Sequence, residues 1–391
     1  MLRVAIVANE ISGDLLGASL MRALQELKGD VAFEGVGGPR MIEEGCNTLF
    51  PMERLSVMGL VEVLKHLPEL LSIRRQLVDH FLADPPDVFI GIDAPDFNLG
   101  LETRLKKAGI PTVHYVSPTV WAWRPGRVHK IKEAVNLLLS IFPFETDFLQ
   151  QHKVPVSYVG HSLADEIPLE NDKTEVRSRL GLNQEKPVIA ILPGSRMSEI
   201  QGLAESFLGA ARWCLERRPE LYFITPLVNP AAREAFEQQI KALAPDLPIL
   251  LLDGQARDAI TAADVVLTAS GTATLETLLL SRPMVVGYRM QWLTFWIIKH
   301  LNLVKVPHIA MANLLAGKGL APEYLQEECT AENLGKALLE FLESPQQVAE
   351  IQQTYRQIHR DMQQNSSHKA AEAVLALLSN KKVTEQAIES V

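Results

Sequence analysis

Two aspartates three positions apart, Asp93 and Asp96 in GIDAPDFN (91–98), follow directly on the apolar run DVFIGI. A carboxylate at the C-terminal end of a parallel strand is where doubly wound sheets keep their chemistry, and such a group can take a proton from a hydroxyl. Aspartate also suits turns and helix caps, so residue type alone leaves both readings open. Two other turns suit an anion. LPGSR (192–196) follows the strand-like VIAI; Gly194 lets the backbone approach a ligand, and Arg196 adds a fixed charge that grips phosphate oxygens in pairs. ASGTATLE (269–276) follows DVVLT, and its Ser270, Gly271, Thr272 and Thr274 bring hydroxyls and N–H groups to a helix start. Either turn alone is equally an ordinary capped helix entry. Both at strand ends of the same half favour an anion site. Glu276 lies one helical turn beyond Thr272, within reach of a ribose diol, or simply complements the helix dipole. In ANEISGD (8–14), Ser12 or Asp14 is expected to cap a helix, and Glu10 is either a solvated loop acid or a site group.

Several chemistries lose their usual supports. GxxxxGK[ST] is absent and no GxGxxG follows the first strand, which speaks against ATP hydrolysis and dehydrogenase chemistry. Three cysteines, Cys46, Cys214 and Cys329, show no CxxC or metal-type spacing, so neither a disulfide framework nor a zinc site is expected. No metal or cofactor is expected, and the cysteine usage fits a reducing cytoplasm. Thirty-eight Lys plus Arg against 47 Asp plus Glu give a net charge of -9, which argues against a molecule covered by nucleic acid. MLRVAIVANE reads as a first strand rather than a signal peptide, and no apolar run reaches membrane-spanning length. His114 and His161, also at strand ends, are read as packed or hydrogen-bonded rather than catalytic.

The elements that must position these residues alternate along the chain. LRVAIVA, VAFEGVG, DVFIGID, PTVHYV, VNLLLSIF and VSYVG have strand length and are separated by helix-period segments, the pattern of a parallel sheet covered by helices. Leu16, Leu20, Ala23, Leu24 and Leu27 form one stripe of a helix over 12–29. After a polar linker at 166–176, a second series begins with KPVIAILPG, LYFITPLV, LPILLLDG, ADVVLTASG and RPMVVGY, with helices expected near 203–218 and 231–244. The fold class is α/β with two Rossmann-like, doubly wound parallel-sheet domains, 1–168 and 169–345, and a helical tail over 346–391. Three segments suit an apolar or anionic surface: VMGLVEVLKHLPELL (57–71), apolar around much of its circumference; QWLTFWIIKHLNLVK (291–305); and the basic, aromatic WAWRPGRVHKIK (121–132). The first two serve equally as helices buried between domains or subunits, and the third as a solvated face.

Taken together, ExSGD (10–14), GIDAPDFN (91–98), HYVSPTVWAW (114–123), PFE (143–145), VGH (159–161), LPGSR (192–196), SGTATLE (270–276), VGYR (286–289) and NLLAG (313–317) resemble the lipid-A-disaccharide synthase family from the first strand to the C-terminal helices. The resemblance implies a GT-B glycosyltransferase fold, two facing domains with the active site between them. It also implies transfer of a sugar from UDP-2,3-diacylglucosamine to 2,3-diacylglucosamine 1-phosphate, giving a β(1→6) disaccharide and UDP without a metal. It assigns Arg196, Ser270, Gly271, Thr272, Thr274 and Glu276 to UDP, with Asn313 nearby. Glu10 and Ser12 face the nucleotide or the acceptor, Asp93 matches the proposed base and Asp96 is its neighbour. Asn9 departs from the glycine common in the family before the glutamate. The implied setting is a cytoplasmic enzyme at the inner membrane surface of a Gram-negative bacterium, with a homodimer sharing C-terminal segments permitted by the helical tail. A UDP-GlcNAc 2-epimerase or another enzyme of the same fold, or a non-catalytic nucleotide-sugar binder, are the rivals. An inverting transfer needs one displacement, a base on the acceptor 6-hydroxyl and charge stabilisation on departing UDP.

Overall fold

The computed structural model describes residues 1–56, 60–120, 125–290 and 308–389, and within them all side chains but those of 60–65, 125 and 381–389. The 291–305 segment, the 121–124 part of the basic aromatic stretch and the beginning of the 57–71 segment therefore lie outside the described residues. The chain forms two units, Met1–Asp165 with Gln363–Val391, and Glu166–Met362.

In the first unit seven parallel strands lie in the order β3-β2-β1-β4-β5-β6-β7. They are β1 (Leu2–Ala8), β2 (Val31–Val36), β3 (Cys46–Thr48), β4 (Val88–Ile92), β5 (Thr112–Tyr115), β6 (Leu137–Ser140) and β7 (Val156–Tyr158). The central strands are apolar at almost every position because both faces are covered; all five residues of β4 are buried. Strand order reverses between β1 and β4, whose ends pair Ala8 with Ile92, so the turns that begin at Asn9 and Asp93 open beside each other.

The helix Ile11–Lys28 buries more than a stripe, including Gly17, Leu20, Met21 and Leu24. It is covered on a second side by the helix Ser366–Glu389, whose Ala370, Ala371, Val374 and Leu378 join the same core. Burying Val374 and Leu378 stabilises by about 1.5–3 kcal/mol each. Asp165 caps the incoming helix, accepting from the backbone N–H groups of Asn365 (2.9 Å) and Ser366 (2.6 Å). The tail expected to act as one piece from 346 is thus divided. Pro345–Met362 belongs to the second unit and buries Ile351, Tyr355 and Met362 there, and only the segment from 363 onward completes the first.

The second unit holds six parallel strands in the order β10-β9-β8-β11-β12-β13. These are β8 (Val188–Leu192), β9 (Tyr222–Leu227), β10 (Ile249–Asp253), β11 (Val265–Ala269), β12 (Met284–Tyr288) and β13 (Glu323–Leu325). Its order reverses between β8 and β11, paired from Val265–Ile189 to Thr268–Leu192. The two turns singled out in the sequence therefore leave adjacent strands at one end of the sheet. The polar stretch expected as linker over 166–176 is shorter than that. Asp172 caps a helix over Lys173–Arg179 by accepting from Thr174 N (2.8 Å) and Glu175 N (3.0 Å), and Arg177 of that helix is buried.

Candidate functional site

The two turns of the second unit line one pocket of about 670 Å³. Its walls include Gly194, Ser195, Arg196, Ser270, Gly271, Thr272 and Glu276, joined by Tyr288 of VGYR and by Val228 and Gln255, which the sequence did not single out. Pockets of this volume at a topological switch point are suited to nucleotide-sized ligands. The first turn is shaped by Glu199, whose carboxylate accepts from Ser195 N (3.1 Å) and Arg196 N (3.2 Å) at the start of the helix Met197–Leu215. Gly194 has φ +108°, and a Cβ there would fall 2.5 Å from Glu199 Oε2, so a side chain is excluded on both counts. With the loop held from behind, the Arg196 side chain stays 66% exposed, its nearest ion-pair partner Glu199 at 3.9 Å. Its guanidinium retains donors for a ligand.

In the second turn Gly271 (φ +136°) admits the chain to the helix Thr272–Leu279. Glu276 of that helix is half-buried, and burial pushes its carboxyl above the ordinary value, opposed by the Arg257 guanidinium 3.6 Å away. Arg257 also pairs with Glu166 at 3.0 Å. Thr274 is different. Its side chain is fully buried, its hydroxyl donates to Gly271 O (2.7 Å) and accepts from Met311 N (3.2 Å), and so it ties the turn to a neighbouring segment.

Asn313 is likewise committed inside the protein. Its amide donates to Ala321 O (2.7 Å) and Glu323 Oε1 (2.8 Å), while its oxygen accepts from Leu320 N (2.7 Å) and Ala321 N (2.8 Å). Glu323 accepts in addition from Ile309 N and Ala310 N. Four satisfied bonds leave the side chain no donor for a ligand. Asn313→Ala is expected to destabilise the second unit by about 2–4 kcal/mol, because buried backbone groups lose their partners. A denaturation midpoint equal to that of the parent chain would contradict this.

In the first unit the chain leaves β4 with two consecutive non-glycine residues at positive φ, Asp93 (+50°) and Ala94 (+40°), before entering the helix Pro95–Lys107. This conformation is tolerable for Asp and costly for Ala, of the order of 1–2 kcal/mol, and backbone strain of this kind collects where a side chain must be aimed. Asn98 holds the turn in place. Fully buried, it donates to Asp93 O (2.9 Å), Ile92 O (3.2 Å) and Asn9 Oδ1 (3.4 Å), and so clamps the turn after β4 to the one after β1. The Asp93 carboxyl is half-buried and is pushed above the ordinary carboxylate value by burial and then by the Glu10 charge; a backbone bond from Ala94 and the charge of His114 pull the other way.

The two aspartates diverge. Asp96 is 81% exposed and paired with Arg127. Glu10, not Ser12 or Asp14, occupies the cap position of the Ile11–Lys28 helix, and Ser12 Oγ donates to Glu10 Oε1 at 2.8 Å. Asp14 is buried because it caps elsewhere, accepting from the N–H groups of Gly38, Arg40 and Met41 at 2.9–3.0 Å. Below the Asp93 turn, His114 Nδ1 meets Glu102 Oε1 at 2.7 Å with both side chains fully buried, and burial raises the Glu102 carboxyl. Gly91 makes room for this pair, since a Cβ there would lie 2.3 Å from Glu102 Oε1. His161 accepts from Leu163 N (3.1 Å), and its burial lowers it to about 4.

A pocket of about 280 Å³ adjoins the Asp93 turn through Ala94, lined by Leu55, Leu67, Leu70, Leu71, Pro95 and Phe97 together with the polar Asn9, Arg74 and Asp96. Leu67 and Leu71, on the helix Leu60–Ala83, remain 40% and 46% exposed. Among the described residues no helix is long and apolar enough to cross a membrane, and no group of three His, Cys, Asp or Glu is arranged to hold a metal ion.

A family model described as Lipid-A-disaccharide synthetase matches residues 4–377. The chain is 52% identical over 377 residues to the lipid-A-disaccharide synthase of Pseudomonas syringae pv. tomato, covering 96% of this chain and 97% of the relative. It is 48% identical over 382 residues to that of Hahella chejuensis, covering 98% and 96%. Among solved structures, a UDP-GlcNAc 2-epimerase from Neisseria meningitidis bound to UDP-GlcNAc superposes with a TM-score of 0.61 at 13% identity, covering 97% of this chain and all of that one. The calicheamicin glycosyltransferase CalG4 gives 0.60 at 14%, covering 97% and 99%. At such low identity the structural likeness speaks for the fold alone, the GT-B type with two Rossmann-like domains and a helical C-terminal segment.

Proposed function

Because the chain belongs to the lipid-A-disaccharide synthase family, a glycosyltransferase family of lipid A biosynthesis, we propose that it joins UDP-2,3-diacylglucosamine to 2,3-diacylglucosamine 1-phosphate by direct, inverting displacement. Asp93 takes the proton from the acceptor 6-hydroxyl as that oxygen attacks the anomeric carbon; the bond to the UDP β-phosphate oxygen breaks, and UDP carries away the negative charge. Arg196, with the N–H groups and hydroxyls of Ser270, Gly271 and Thr272, stabilises that charge, and Glu276 binds the ribose. Thr274 and Asn313 act on UDP only through the loops they hold. Glu10 and Ser12 border the reacting groups, Glu10 helping to keep the Asp93 carboxyl basic, while Asp96 holds Arg127 near the acceptor.

The observation that carries this reading is the setting of Asp93: a half-buried carboxylate with raised proton affinity, in a turn whose next residues, Ala94 to Phe97, line a pocket of leucines. A base poised for a hydroxyl and a neighbouring apolar groove together fit an acylated sugar. Neither rival uses both, since an epimerase takes no lipid acceptor and a binder needs no base. Exposed Leu67 and Leu71 support contact with the cytoplasmic face of the inner membrane, from which both acylated substrates must come. A homodimer exchanging the Ser366–Glu389 helix would bury the same Ala370, Val374 and Leu378 face against a partner's first unit.

The test is to incubate the purified chain with both diacylated sugars in detergent and separate lipid and nucleotide products. Equimolar disaccharide 1-phosphate and UDP are expected; a free epimerised sugar, or bound UDP with no product, would overturn the proposal. Sedimentation of the same preparation, alone and with liposomes, reads oligomeric state and membrane contact: a monomer that fails to float would remove those two parts.

A further inference from the structure

At the opposite end of the second unit's strands from the Arg196 pocket lies another of about 590 Å³, formed where the chain enters its strands rather than where it leaves them. Lys186 and Pro187 lead into β8, Asp264 into β11 and Arg282 into β12. Six cationic side chains line it, Lys173, Arg177, Lys186, Arg218, Arg282 and Arg356, against two carboxylates, Glu185 and Asp264. In a chain whose net charge is -9, that local excess is out of keeping with the composition.

Lys173 is paired with Asp264 and Arg218 with Glu220, and the other four cations fall into two layers. Arg177 and Arg282 form the floor, only 3% and 8% exposed. Their N–H groups are spent on the carbonyls of Ala262, Gln184, Thr261 and Leu280, and on Asp264 Oδ2 at 2.7 Å, so they act as fixed charges. Asp264 is the one carboxylate in the floor, shared between Arg177 and Lys173 and also accepting from Val188 N at 2.7 Å. Burial pushes Arg282 down to about 10; the Asp264 charge opposes this and the charges of Arg177 and Arg356 add to it. Above it, Lys186 and Arg356 have no ion pair among the described residues, and Lys186 lies over the Tyr222 ring, 5.6 Å from its centroid. Fixed charge below and donors free of ion pairs above is an arrangement that suits a multiply charged oxyanion.

We propose that this pocket is a second ligand site, distinct from the nucleotide-sugar pocket, for a phosphate-type polyanion held by Lys186 and Arg356 over the Arg177–Arg282 floor. The inference is independent of the sugar-transfer reading, since none of these residues takes part in it. The same chemistry is offered by a free pyrophosphate or by the phosphate headgroups of an anionic lipid.

The test titrates the full chain calorimetrically with sodium pyrophosphate while saturating UDP occupies the Arg196 pocket, and repeats it on Lys186→Ala/Arg356→Ala, and on Arg356→Glu should the double variant fold poorly. Saturable binding is expected, at least about tenfold weaker in the variants and weakening with salt. In a parallel flotation assay, vesicles of phosphatidylcholine with or without phosphatidylglycerol are offered to both proteins. Binding of anionic vesicles that pyrophosphate displaces and the variants lose assigns the headgroup; pyrophosphate binding without vesicle binding assigns the free anion. No binding of either, or binding unchanged in both folded variants, overturns the proposal.

Discussion

Asp93→Asn is expected to lower kcat by roughly 10²- to 10⁴-fold, the usual contribution of a positioned proton acceptor, while leaving UDP affinity within about twofold of the parent. The amide keeps the size and the polar contacts of the carboxyl, and the turn is fixed by Asn98 through the backbone carbonyl of Asp93 rather than through its side chain. Loss of rate therefore reports loss of the base, not of the turn. The pH profile supplies an independent reading. Asp93 works only when ionised, and burial and Glu10 raise its pKa above the ordinary 3.8. The acid limb of kcat/KM, which reports the free enzyme, is expected at a higher pH than an ordinary aspartate would give, since protonation disables a base of raised pKa earlier on acidification. Glu10→Gln removes the like charge and is expected to move that limb downward. A limb unmoved by Glu10→Gln, or an Asp93→Asn enzyme retaining more than about a tenth of the rate, would take Asp93 out of the role.

How much of this was legible in the sequence follows from how local each signal is. The long buried strands announce themselves as apolar runs, and the helices Ile11–Lys28 and Pro230–Leu243 lie within a residue of their expected spans, whereas Met197–Leu215 begins six residues before the expected 203. Two of the three three-residue edge strands, Cys46–Thr48 and Glu323–Leu325, were invisible, because three residues carry no period and CNT and EYL are not apolar runs; the third, Val156–Tyr158, showed itself only through the longer apolar stretch VSYVG. Residue type marked both aspartates of GIDAPDFN equally. What separates them is the pair of positive φ values at Asp93 and Ala94 and the presence of Arg127, 31 positions further on, beside Asp96. Thr274 and Asn313 show the same limit from the other side. A hydroxyl at a helix start and an asparagine in a loop suit a ligand, but here Met311 N, Leu320 N and Glu323 have already claimed them. The strand order that brings LPGSR beside SGTATLE was readable only as an alternation of elements; the adjacency itself comes from β8 pairing with β11 across more than seventy intervening residues.

Arg196→Ala is expected to lower kcat/KM by roughly 10²- to 10³-fold, the range for removing a donor aimed at charge that develops as the bond breaks. The reasoning starts from what else in the pocket can meet a diphosphate. Helix ends at Met197 and Thr272 contribute partial charges, Ser270 and Thr272 neutral hydroxyls, and Arg257 is engaged with Glu166 and Glu276. Arg196 is the cation of this wall whose side chain stands exposed, with its nearest acid at 3.9 Å. Departing UDP gains charge on its β-phosphate as the glycosidic bond opens, so the guanidinium should bind the transition state more tightly than the intact donor, and kcat should fall as well as affinity. Arg196→Lys keeps a point charge but not the paired donors that match two phosphate oxygens, and is expected to recover only part of the loss. Glu199→Gln is the control for loop geometry: its oxygen still accepts from Ser195 N and Arg196 N, so the turn should persist and turnover should change by less than about tenfold. If Arg196→Ala raised KM with kcat unchanged, the arginine would be gripping UDP equally before and during bond cleavage, and stabilisation of the leaving group would have to be reassigned to the backbone N–H groups of the Ser270–Thr272 turn.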